Sequence, residues 1–557
     1  MKKSVRYITI ISFTLIFLVF IFLIVLNYNL PDFLQKTIKK NINPPYVLEI
    51  KNIDASIFSR DIHCENLKFY SDTIRHETND KPRVWVDVDH IEVRNFNLLK
   101  LLFKRELHIE QIKIDQPGIE LSLISPSNAN ADSSLVKTSG QPFKKVCIEQ
   151  LNITDGNIRL LQEGNDTLWT SIIENFTIDE ITYSPDTIQG FLKQTNFKNI
   201  FFRVQDFKHY SSNGFYCISG SELHQENANN LLIKNLNISP LYPKYVFAKE
   251  KGHLTTRLEF NCKTIQIKTD LEQIINNDFL LIHSLWADSF HIKAFRNKNI
   301  PDSPERYVPP LPQQILRELD QLVHIDSLHL NHGLIEYEEH AKGGSKTGYI
   351  KIMKTRAFLS NISNHPDSLA KDDKMKIDFY GWLNGEGYLD AHFVMPILNT
   401  NNYFSYYGNI SEMDLESFNS ILEPCAFLTI KKGKLEKLRF HVQANENSAS
   451  GKMYMHYHDL NISARKLKKR DIRKESSKDK ILSMLINTFF IKSSNPKGKK
   501  DLREGIIEFE RDHRRSVFHY WIKSILSGVP SSLGIKEEKT KVSKKKKIRW
   551  PWKKKKN

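Results

Sequence analysis

Two short motifs hold residue types that carry out chemistry in other proteins, but neither has the spacing that its chemistry requires. Gly343–Gly348 reads GGSKTG. It is rich in glycine and lysine like a phosphate loop, yet it lacks the G-x4-G-K-S/T spacing and lies between predicted strands, which favours a hairpin tip. Glu510, Asp512 and His513 could form an acid–base cluster, but the arginines beside them in FERDHRRS indicate a solvated charge network.

Histidine and cysteine give no stronger signal. His456 and His458 share one face of a predicted strand, but a third metal ligand is not near them in the sequence. The cysteines are odd in number and form no CxxC pair, so we expect free buried thiols, or one disulfide in an oxidising compartment; they are Cys64, Cys147, Cys217, Cys262 and Cys425. No serine or cysteine lies in a nucleophile elbow. We predict no catalytic residue, no metal site and no cofactor.

Charge argues against nucleic acid as a partner. The 557 residues carry a formal charge of +17, from 81 Lys+Arg and 64 Asp+Glu. Residues 541–557 contain ten basic residues and no acidic one, so one tail supplies most of the excess. A uniformly basic groove is therefore not indicated.

The N-terminus predicts a membrane anchor. Residues 1–6 are basic, and Tyr7–Leu26 is almost wholly Ile, Leu, Phe and Val without a charge. About twenty such residues span a bilayer as a helix, and no small-residue cleavage site follows. We predict a single uncleaved transmembrane helix within residues 7–28, with the N-terminus inside and the rest exported.

Residues 29–43 predict an amphipathic helix. Leu34, Ile38 and Ile42 form one apolar stripe, and lysines lie opposite. Two placements remain open: along lipid headgroups, or as a cap on the end of a sheet.

The body of the chain repeats a short β pattern. Leu107–Leu121 (LHIEQIKIDQPGIEL) aligns with Cys147–Leu160 (CIEQLNITDGNIRL) at an offset of 39 residues, and Ile325–Tyr337 (IDSLHLNHGLIEY) is a third copy. Each copy predicts a strand, a Gly or Pro turn and a second strand, with apolar residues on alternate positions. The three-residue step from Ile109 to Ile112 predicts a bend or bulge.

These signals divide the chain into eight segments. They are a cytoplasmic tip (1–6), an anchor (7–28), an amphipathic helix (29–43), a first β-rich region (44–300), a Pro-rich linker and short helix (301–322), a second β-rich region (323–470), a helical segment (471–535) and a basic tail (536–557). The fold class is mainly β: a transmembrane helix, then a long, curled antiparallel sheet with a few capping helices.

The few predicted helices cannot cover one whole face of so much sheet. Either two sheets pack as a sandwich, or one curled sheet leaves an apolar groove open, and large open apolar surfaces usually bind something. For a membrane-anchored protein the predicted ligand is an acyl chain. The candidate groove residues are Ile109, Ile114, Ile148, Ile153, Ile158, Ile325, Leu330 and Ile335.

At this point the chain resembles a family, the AsmA-like proteins of the envelope of two-membrane bacteria, and especially those of the Bacteroidota type. The resemblance rests on the anchor, the repeated units and an ordered series of stretches, which are ISPLYPKYVF (238–247), IDSLHLNHGLIEYEEH (325–340), GNISEMDLESFNSILEP (408–424), ASGKMYMHYHDLNI (449–462), NTFFIKSSNP (487–496) and HRRSVFHYWIKSILSGV (513–529). It implies a bridge-like sheet that carries phospholipid between membranes. No catalytic residue comes with it.

The resemblance also sets the expected location and partners. We expect the inner membrane to hold the anchor, the bulk of the chain to lie in the periplasm, and phospholipid to be the ligand. Roughly 28 stacked strands would reach only about 130 Å, so we expect either contact with the outer membrane or an envelope partner protein, or a role at one membrane. The alternative function is a β-rich scaffold that assists outer-membrane protein assembly.

The C-terminus predicts a second membrane contact. An aromatic amphipathic helix at Ser516–Leu526 contributes Trp521, and the tail places Trp550 and Trp552 between lysine clusters that include Lys545 and Lys554. Tryptophan prefers the headgroup layer, and each basic residue near an anionic surface contributes about 1 kcal/mol. A disordered solubilising tail is the alternative.

Overall fold

Strands dominate the protein. A computed structural model describes residues 21, 24–25, 27–36, 42, 45–72, 83–122, 144–162, 166–184, 195–271, 274, 279–303, 308–464, 491–498 and 500–535. The predicted transmembrane segment lies mostly outside these residues, and the basic tail lies entirely outside them. The mainly β class is confirmed.

Thirteen strands precede the Pro-rich segment. They are β1 (Tyr46–Ser56), β2 (Asp61–Ser71), β3 (Arg83–Arg94), β4 (Glu106–Asp115), β5 (Gly118–Ser122), β6 (Lys145–Leu161), β7 (Thr167–Tyr183), β8 (Thr195–Asn196), β9 (Asn199–Tyr210), β10 (Tyr216–Asn227), β11 (Asn230–Pro240), β12 (Thr256–Thr269) and β13 (Phe279–Asn297).

Nine strands follow that segment. They are β14 (Leu322–His340), β15 (Thr347–Ser363), β16 (Lys374–Leu383), β17 (Gly387–Pro396), β18 (Phe404–Ile410), β19 (Met413–Asp414), β20 (Leu428–Ala444), β21 (Ser448–Ala464) and β22 (Glu504–Glu510).

The helices are short. They are α1 (27–36), α2 (Leu98–Lys104), α3 (Phe247–Glu250), α4 (Pro312–Glu318), α5 (Pro366–Lys371), α6 (Asn419–Ala426), α7 (Val517–Ser527) and α8 (Val529–Ser532), with a 3-10 turn at Leu415–Phe418. Among the described residues, no helix combines the length and the hydropathy that crossing a bilayer requires.

All twenty-two strands belong to one sheet. β4 and β5 lie end to end between β3 and β6, β8 and β9 both pair with β7, and β18 and β19 both pair with β20. The sheet therefore has nineteen successive positions. At about 4.8 Å per step its contour is about 85 Å, shorter than the 28 strands expected from the sequence would give.

Most neighbours are antiparallel, but the sheet is not purely so. β6 lies parallel to β4 and β5, with Ile109 beside Ile148 and Ile114 beside Ile153. β14 lies parallel to β13. The 39-residue offset between the first two repeat copies is therefore the register of two neighbouring parallel strands.

The predicted turn inside each repeat copy is wrong. The second copy is the single strand β6 and the third is the single strand β14, while β4 and β5 continue along one line. Asp155 and His332 have left-handed φ angles of 53° and 52°. One residue in that conformation makes a bulge rather than a chain reversal, so the strand bends and continues.

The Pro-rich segment joins two strands of the same sheet. β13 and β14 pair over nearly their whole lengths, so residues 301–322 form a crossover connection and the sheet runs on through the predicted boundary. Arg515 binds Asp302 with two hydrogen bonds of 2.8 and 3.1 Å. Arg511 donates to the Pro309 carbonyl. Both contacts hold the crossover to the C-terminal segment.

Helix α1 packs on the first corner of the sheet. Leu30 and Leu34 join a cluster with Ala55 and Ile109, and the Asn27 Oδ1 accepts a 2.6 Å hydrogen bond from the Ile57 backbone. Two placements were predicted for the segment of residues 29–43. Its described part lies as a cap on the end of the sheet, where it also protects the edge strand β1.

Candidate functional site

One face of the sheet is apolar from end to end. Residues directly paired across strands point to the same face. A first row of pairs runs through Ile53, Cys64, Ile91, Ile114, Ile153, Phe176 and Phe202. A second runs through Ile173, Val204, Leu223, Ile233, Ile265, Ala287, Leu330, Ala357, Phe379, Ala391, Gly408, Phe440 and Met453.

These two rows belong to the same face. Phe202 and Val204 stand two residues apart in β9 and so point the same way, which joins the first row to the second. We call this surface, from β1 to β22, the apolar face. It is built from strands that are far apart in the sequence, so its continuity depends on register rather than on any single motif.

All eight predicted groove residues lie in strands of the apolar face. Ile109, Ile114, Ile148, Ile153 and Ile158 meet on β4 and β6. The other three, Ile325, Leu330 and Ile335, all stand on β14, beside Ile282, Ala287 and Ile292. Seven strand positions separate β6 from β14, so the two groups are about 34 Å apart along the sheet.

Over β1 to β14, most of the apolar face is only half-buried. Every member of the first row is half-buried, and Leu258 of β12 is 48% exposed. A local cluster around Cys262, Ile265 and Phe290 is buried by other side chains of the same strands, with no helix among its members. We call this stretch the open region.

Over β15 to β22 the same face is covered. Met395, Val442, Met453 and Ile507 have no exposed surface. Helices supply the cover, through buried residues that pack into this core: Leu316, Leu369, Leu415 and Tyr520. We call this stretch the closed end.

Polar contacts fix the covering helices of the closed end. The hydroxyls of Tyr406 and Ser524 hydrogen-bond each other between β18 and α7. The Tyr520 hydroxyl donates to the Asn445 carbonyl at 3.1 Å. Gln313 of α4, fully buried, donates to the Asn402 carbonyl at 3.2 Å. Each bond joins a helix to one strand or loop, so the covering helices are a fixed part of the fold.

A row of left-handed residues crosses the middle of the sheet. Asp206, Asn235, Ser289, His332 and Lys354 have φ angles between 46° and 57° and are exposed. Each inserts a residue and bends its strand. The inward pattern accordingly steps by three, as from Ala287 to Phe290 and from Leu330 to Gly333, and stays on the apolar face.

The bend predicted between Ile109 and Ile112 stays a prediction, since neither residue between them has a left-handed φ angle. Ile109 and Ile112 pack in one cluster with Ile148, so the step keeps both on the apolar face.

The opposite face is mainly polar. The Gln111 amide donates to Gln150 at 2.8 Å, and the Gln150 amide donates to Asp179 at 3.2 Å. Farther along, Glu222 accepts from Lys234 at 2.6 Å, which lowers the pKa of Glu222. The same face also carries exposed aromatic rings, where Trp286 stacks on His329 and His329 packs on Phe358.

One strand of the apolar face, β13, was not predicted from the sequence. β13 repeats β14 at an offset of 43 residues, with Ile282, Ser284, Leu285 and Ile292 matching Ile325, Ser327, Leu328 and Ile335. This offset is the sequence pattern from which β13 could have been predicted. It was hidden because Phe290 faces Gly333, where a Cβ would lie 2.0 Å from the ring, so the two strands differ in size where they fit together.

The predicted membrane-contact residues fall into two sets. Trp550, Trp552, Lys545 and Lys554 lie outside the described residues. Trp521 is half-buried against Phe393, with ring centroids 4.6 Å apart, and so belongs to the closed end. The outward stripe of α7 consists instead of Phe518, Ile522 and Leu526, which are 65%, 58% and 39% exposed.

The remaining chemical motifs have structural environments. The GGSKTG segment forms the connection between β14 and β15. His456 lies 2.6 Å from Glu436, and His458 lies 3.8 Å from the same carboxylate; within the described part of the chain, no three potential metal ligands cluster. All five cysteines are free thiols, and of these only Cys262 is fully buried.

The most extensive feature of the described residues is therefore the apolar face, which is half-buried over its open region and covered at its closed end. A scan against protein-family models and a search of curated proteins found no match to this chain.

Proposed function

We propose that this chain is a membrane-anchored envelope protein of the AsmA-like type. In this proposal it binds phospholipid acyl chains in the open region and conducts them between membranes, without enzymatic chemistry, in support of outer-membrane lipid homeostasis. The observation that carries the proposal is the apolar face, which runs without a break through the sheet and is only half-buried over β1 to β14.

The open region suits an acyl chain energetically. Each methylene removed from water contributes about 0.8 kcal/mol, and a groove lined by Ile and Val replaces the contacts that a bilayer would provide. Rows such as Ile114–Ile153–Phe176 offer equivalent contacts at successive strands. A chain can therefore move along the sheet with little net change in free energy, while headgroups stay at the open side.

The bulges support a curled sheet. Asp206, Asn235 and Ser289 bend their strands at neighbouring positions, and bulges increase local twist. Successive bends in the same direction would turn a flat apolar face into a trough, which is the groove that the sequence predicts.

Two ends would meet membranes. The anchor at residues 7–28 would hold the first corner of the sheet at the inner membrane, with the body in the periplasm. Ile24 and Val25, at the end of that segment, are helical and exposed. At the other end, the α7 stripe of Phe518, Ile522 and Leu526 would rest on the outer membrane or an envelope partner protein, assisted by the basic tail.

Lipid extraction tests the proposal. The full chain, purified in a nonionic detergent, is extracted and analysed by mass spectrometry beside two variants of β6. Ile148→Asp puts a charge on the apolar face, and Asn157→Asp puts the same charge on the exposed polar face. Phospholipid should co-purify with the native chain and with Asn157→Asp, and be strongly reduced in Ile148→Asp.

Two outcomes would contradict the proposal. One is a native chain that carries no phospholipid and instead retains an outer-membrane protein, which would favour the scaffold function. The other is equal lipid content in the two variants, which would remove the apolar face from the binding site.

Anionic vesicles test the second membrane contact. Co-sedimentation of the chain lacking residues 1–28 should weaken sharply with salt and again when residues 536–557 are removed. Sedimentation that does not change when the tail is removed would exclude that contact.

A further inference from the structure

Arg296 is a charged side chain on the apolar face. In β13 it follows Ile292 and Ala294 at two-residue intervals, so all three point to the same side. Its direct neighbours are Thr256 on β12 and Glu339 on β14. A guanidinium on an otherwise apolar surface is costly unless something compensates its charge.

Within the described residues nothing compensates it directly. The Arg296 Nε is buried and has no hydrogen-bond partner, and none of the described carboxylates forms an ion pair with the guanidinium. Burial, followed by the nearby charge of Arg515, lowers the pKa of Arg296, and the charges of Tyr337, Glu339 and Asp302 oppose this shift. Buried polar groups in folded proteins are nearly always paired, so this Nε calls for a partner from outside the described chain.

The acids near Arg296 already have cations. Glu339 lies 2.6 Å from Lys298 and accepts a 2.7 Å hydrogen bond from the Tyr337 hydroxyl. Asp302 is held by both terminal nitrogens of Arg515. Each carboxylate is therefore bound to another group, and it attracts Arg296 without forming an ion pair with it.

His519 of α7 adds a second unsatisfied group nearby, because the Arg515–Asp302 contact joins the start of α7 to the chain just after β13. Its Nδ1 is buried without a partner in the described chain. Burial, and then the charges of Lys523, Arg296 and Arg515, lower the pKa of His519 to about 4, while Asp512 opposes them weakly. The imidazole is thus neutral at pH 7 and can donate one hydrogen bond to an anion.

The pair lies where the open region meets the closed end. On one side Leu258, adjacent to Ala294 on the apolar face, is 48% exposed. On the other side Tyr337 is deeply buried, and burial raises its pKa well above the usual value. A ligand whose chain lay in the open region would end here.

We propose that Arg296 and His519 bind a phosphate-type anion at this boundary, which in a lipid-carrying protein is the phosphate of a phospholipid. The assignment to a lipid rests on the proposed function, whereas the anion site depends only on the unsatisfied groups. The phosphate would accept hydrogen bonds from the guanidinium and the imidazole, and its charge would offset the local positive excess.

Ligand-free stability gives the first test. Arg296→Gln removes an uncompensated buried charge, so the full chain without added anion should melt at the same temperature or higher. An arginine with a purely structural role would instead give a lower melting temperature, which would overturn the proposal. Arg296→Lys, which keeps the charge, provides a second variant.

Binding of three probes gives the second test. Dihexanoylphosphatidic acid and inorganic phosphate carry the anion, and dihexanoylglycerol carries only the chains. Arg296→Gln should weaken binding of the phosphatidic acid at least about tenfold, while Lys293→Gln, on the polar face of the same strand, should change it less than about twofold. Binding should also raise the pKa of His519, followed by NMR of labelled histidine.

The probes separate the possible results. Phosphatidic acid that binds with inorganic phosphate as a weaker competitor supports a headgroup site. If inorganic phosphate binds through Arg296 and neither lipid binds, the anion site stands and the proposed lipid function fails. If dihexanoylglycerol binds as well as phosphatidic acid, and Arg296→Gln changes neither, the anion site is wrong while the lipid function stands.

Discussion

The open region and the closed end share one strand pattern but differ in what lies above it. Ile114 and Ile153 of the open region are half-buried, whereas Val442 and Met453 of the closed end have no exposed surface. The pattern of alternate apolar residues is the same in both. The difference comes from α4, α5, the 3-10 turn and α7, which cover the closed end, whereas α1 covers one corner of the open region.

This difference assigns separate tasks to the two parts. A covered face contributes free energy of folding through burial, whereas an uncovered face keeps part of that free energy available for a ligand. The closed end therefore stabilises the sheet. In the proposed function, the open region is the part that binds lipid.

The largest effect should come from a charge in the closed end. Val442→Asp buries a carboxylate with no partner under the covering layer, which we expect to cost on the order of 4 kcal/mol and to unfold the sheet's end. Thermal melts followed by circular dichroism measure it. Gln443→Asp, on the exposed face of the same strand, should melt close to the native chain, and an equally small effect of Val442→Asp would remove the distinction between the regions.

Acid should destabilise the closed end through His519. Because the folded pKa of His519, about 4, lies below its ordinary value of 6.5, the unfolded chain binds more protons between those values. The contribution of neutral His519 to the free energy of unfolding is therefore fully present above pH 6.5. It falls by about 2–3 kcal/mol as the pH drops toward 4. His519→Gln should lose less stability over that range in denaturant titrations. Identical slopes for both proteins would contradict this assignment.

A charge in the open region should cost less. Ile153→Asp stands on a half-buried position that joins neither helix-covered cluster, so the carboxylate keeps contact with water. We expect a loss of about 1–2 kcal/mol with the fold retained. Melts side by side with Val442→Asp measure the contrast. Complete unfolding by Ile153→Asp would indicate a covered core in both regions.

The smallest effect should come from one hydrogen bond of the covering helices. Tyr406→Phe removes the contact with Ser524 and should cost about 1 kcal/mol. Hydrogen exchange should accelerate in α7 and leave the open region unchanged. Acceleration that spreads equally over β4 to β6 would show that the two regions unfold as one unit.

The rows of the apolar face can be predicted from the sequence better than the helices that cover them. The 39-residue repeat places Ile109 beside Ile148 because parallel neighbours with equal register preserve a sequence offset. Alternation fixes which side a residue takes, since its period is that of a strand. Bulges such as that at Asp155 keep the following apolar residues on the same face of the sheet. From the sequence alone these bulges were predicted to be turns.

The rest depends on tertiary contacts that no local pattern encodes. Trp521 reads as an interfacial residue of an amphipathic helix, but α7 has two apolar sides, and the one with Trp521 packs on Phe393. Arg296 reads as an ordinary strand charge, because alternation does not reveal that its neighbours are already paired. Phe290 and Gly333 conceal a repeat because complementary sizes pack best.

Photo-crosslinking shows directly where an acyl chain lies on the sheet. The full chain is loaded with a phospholipid that carries a diazirine at the end of one acyl chain, irradiated, and digested for mass spectrometry. Label should appear on inward residues of the open region, such as Ile114, Ile153 and Leu223, and not on Val442 or Met453. Label confined to the polar face, or spread equally over both regions, would contradict this placement of the acyl chain.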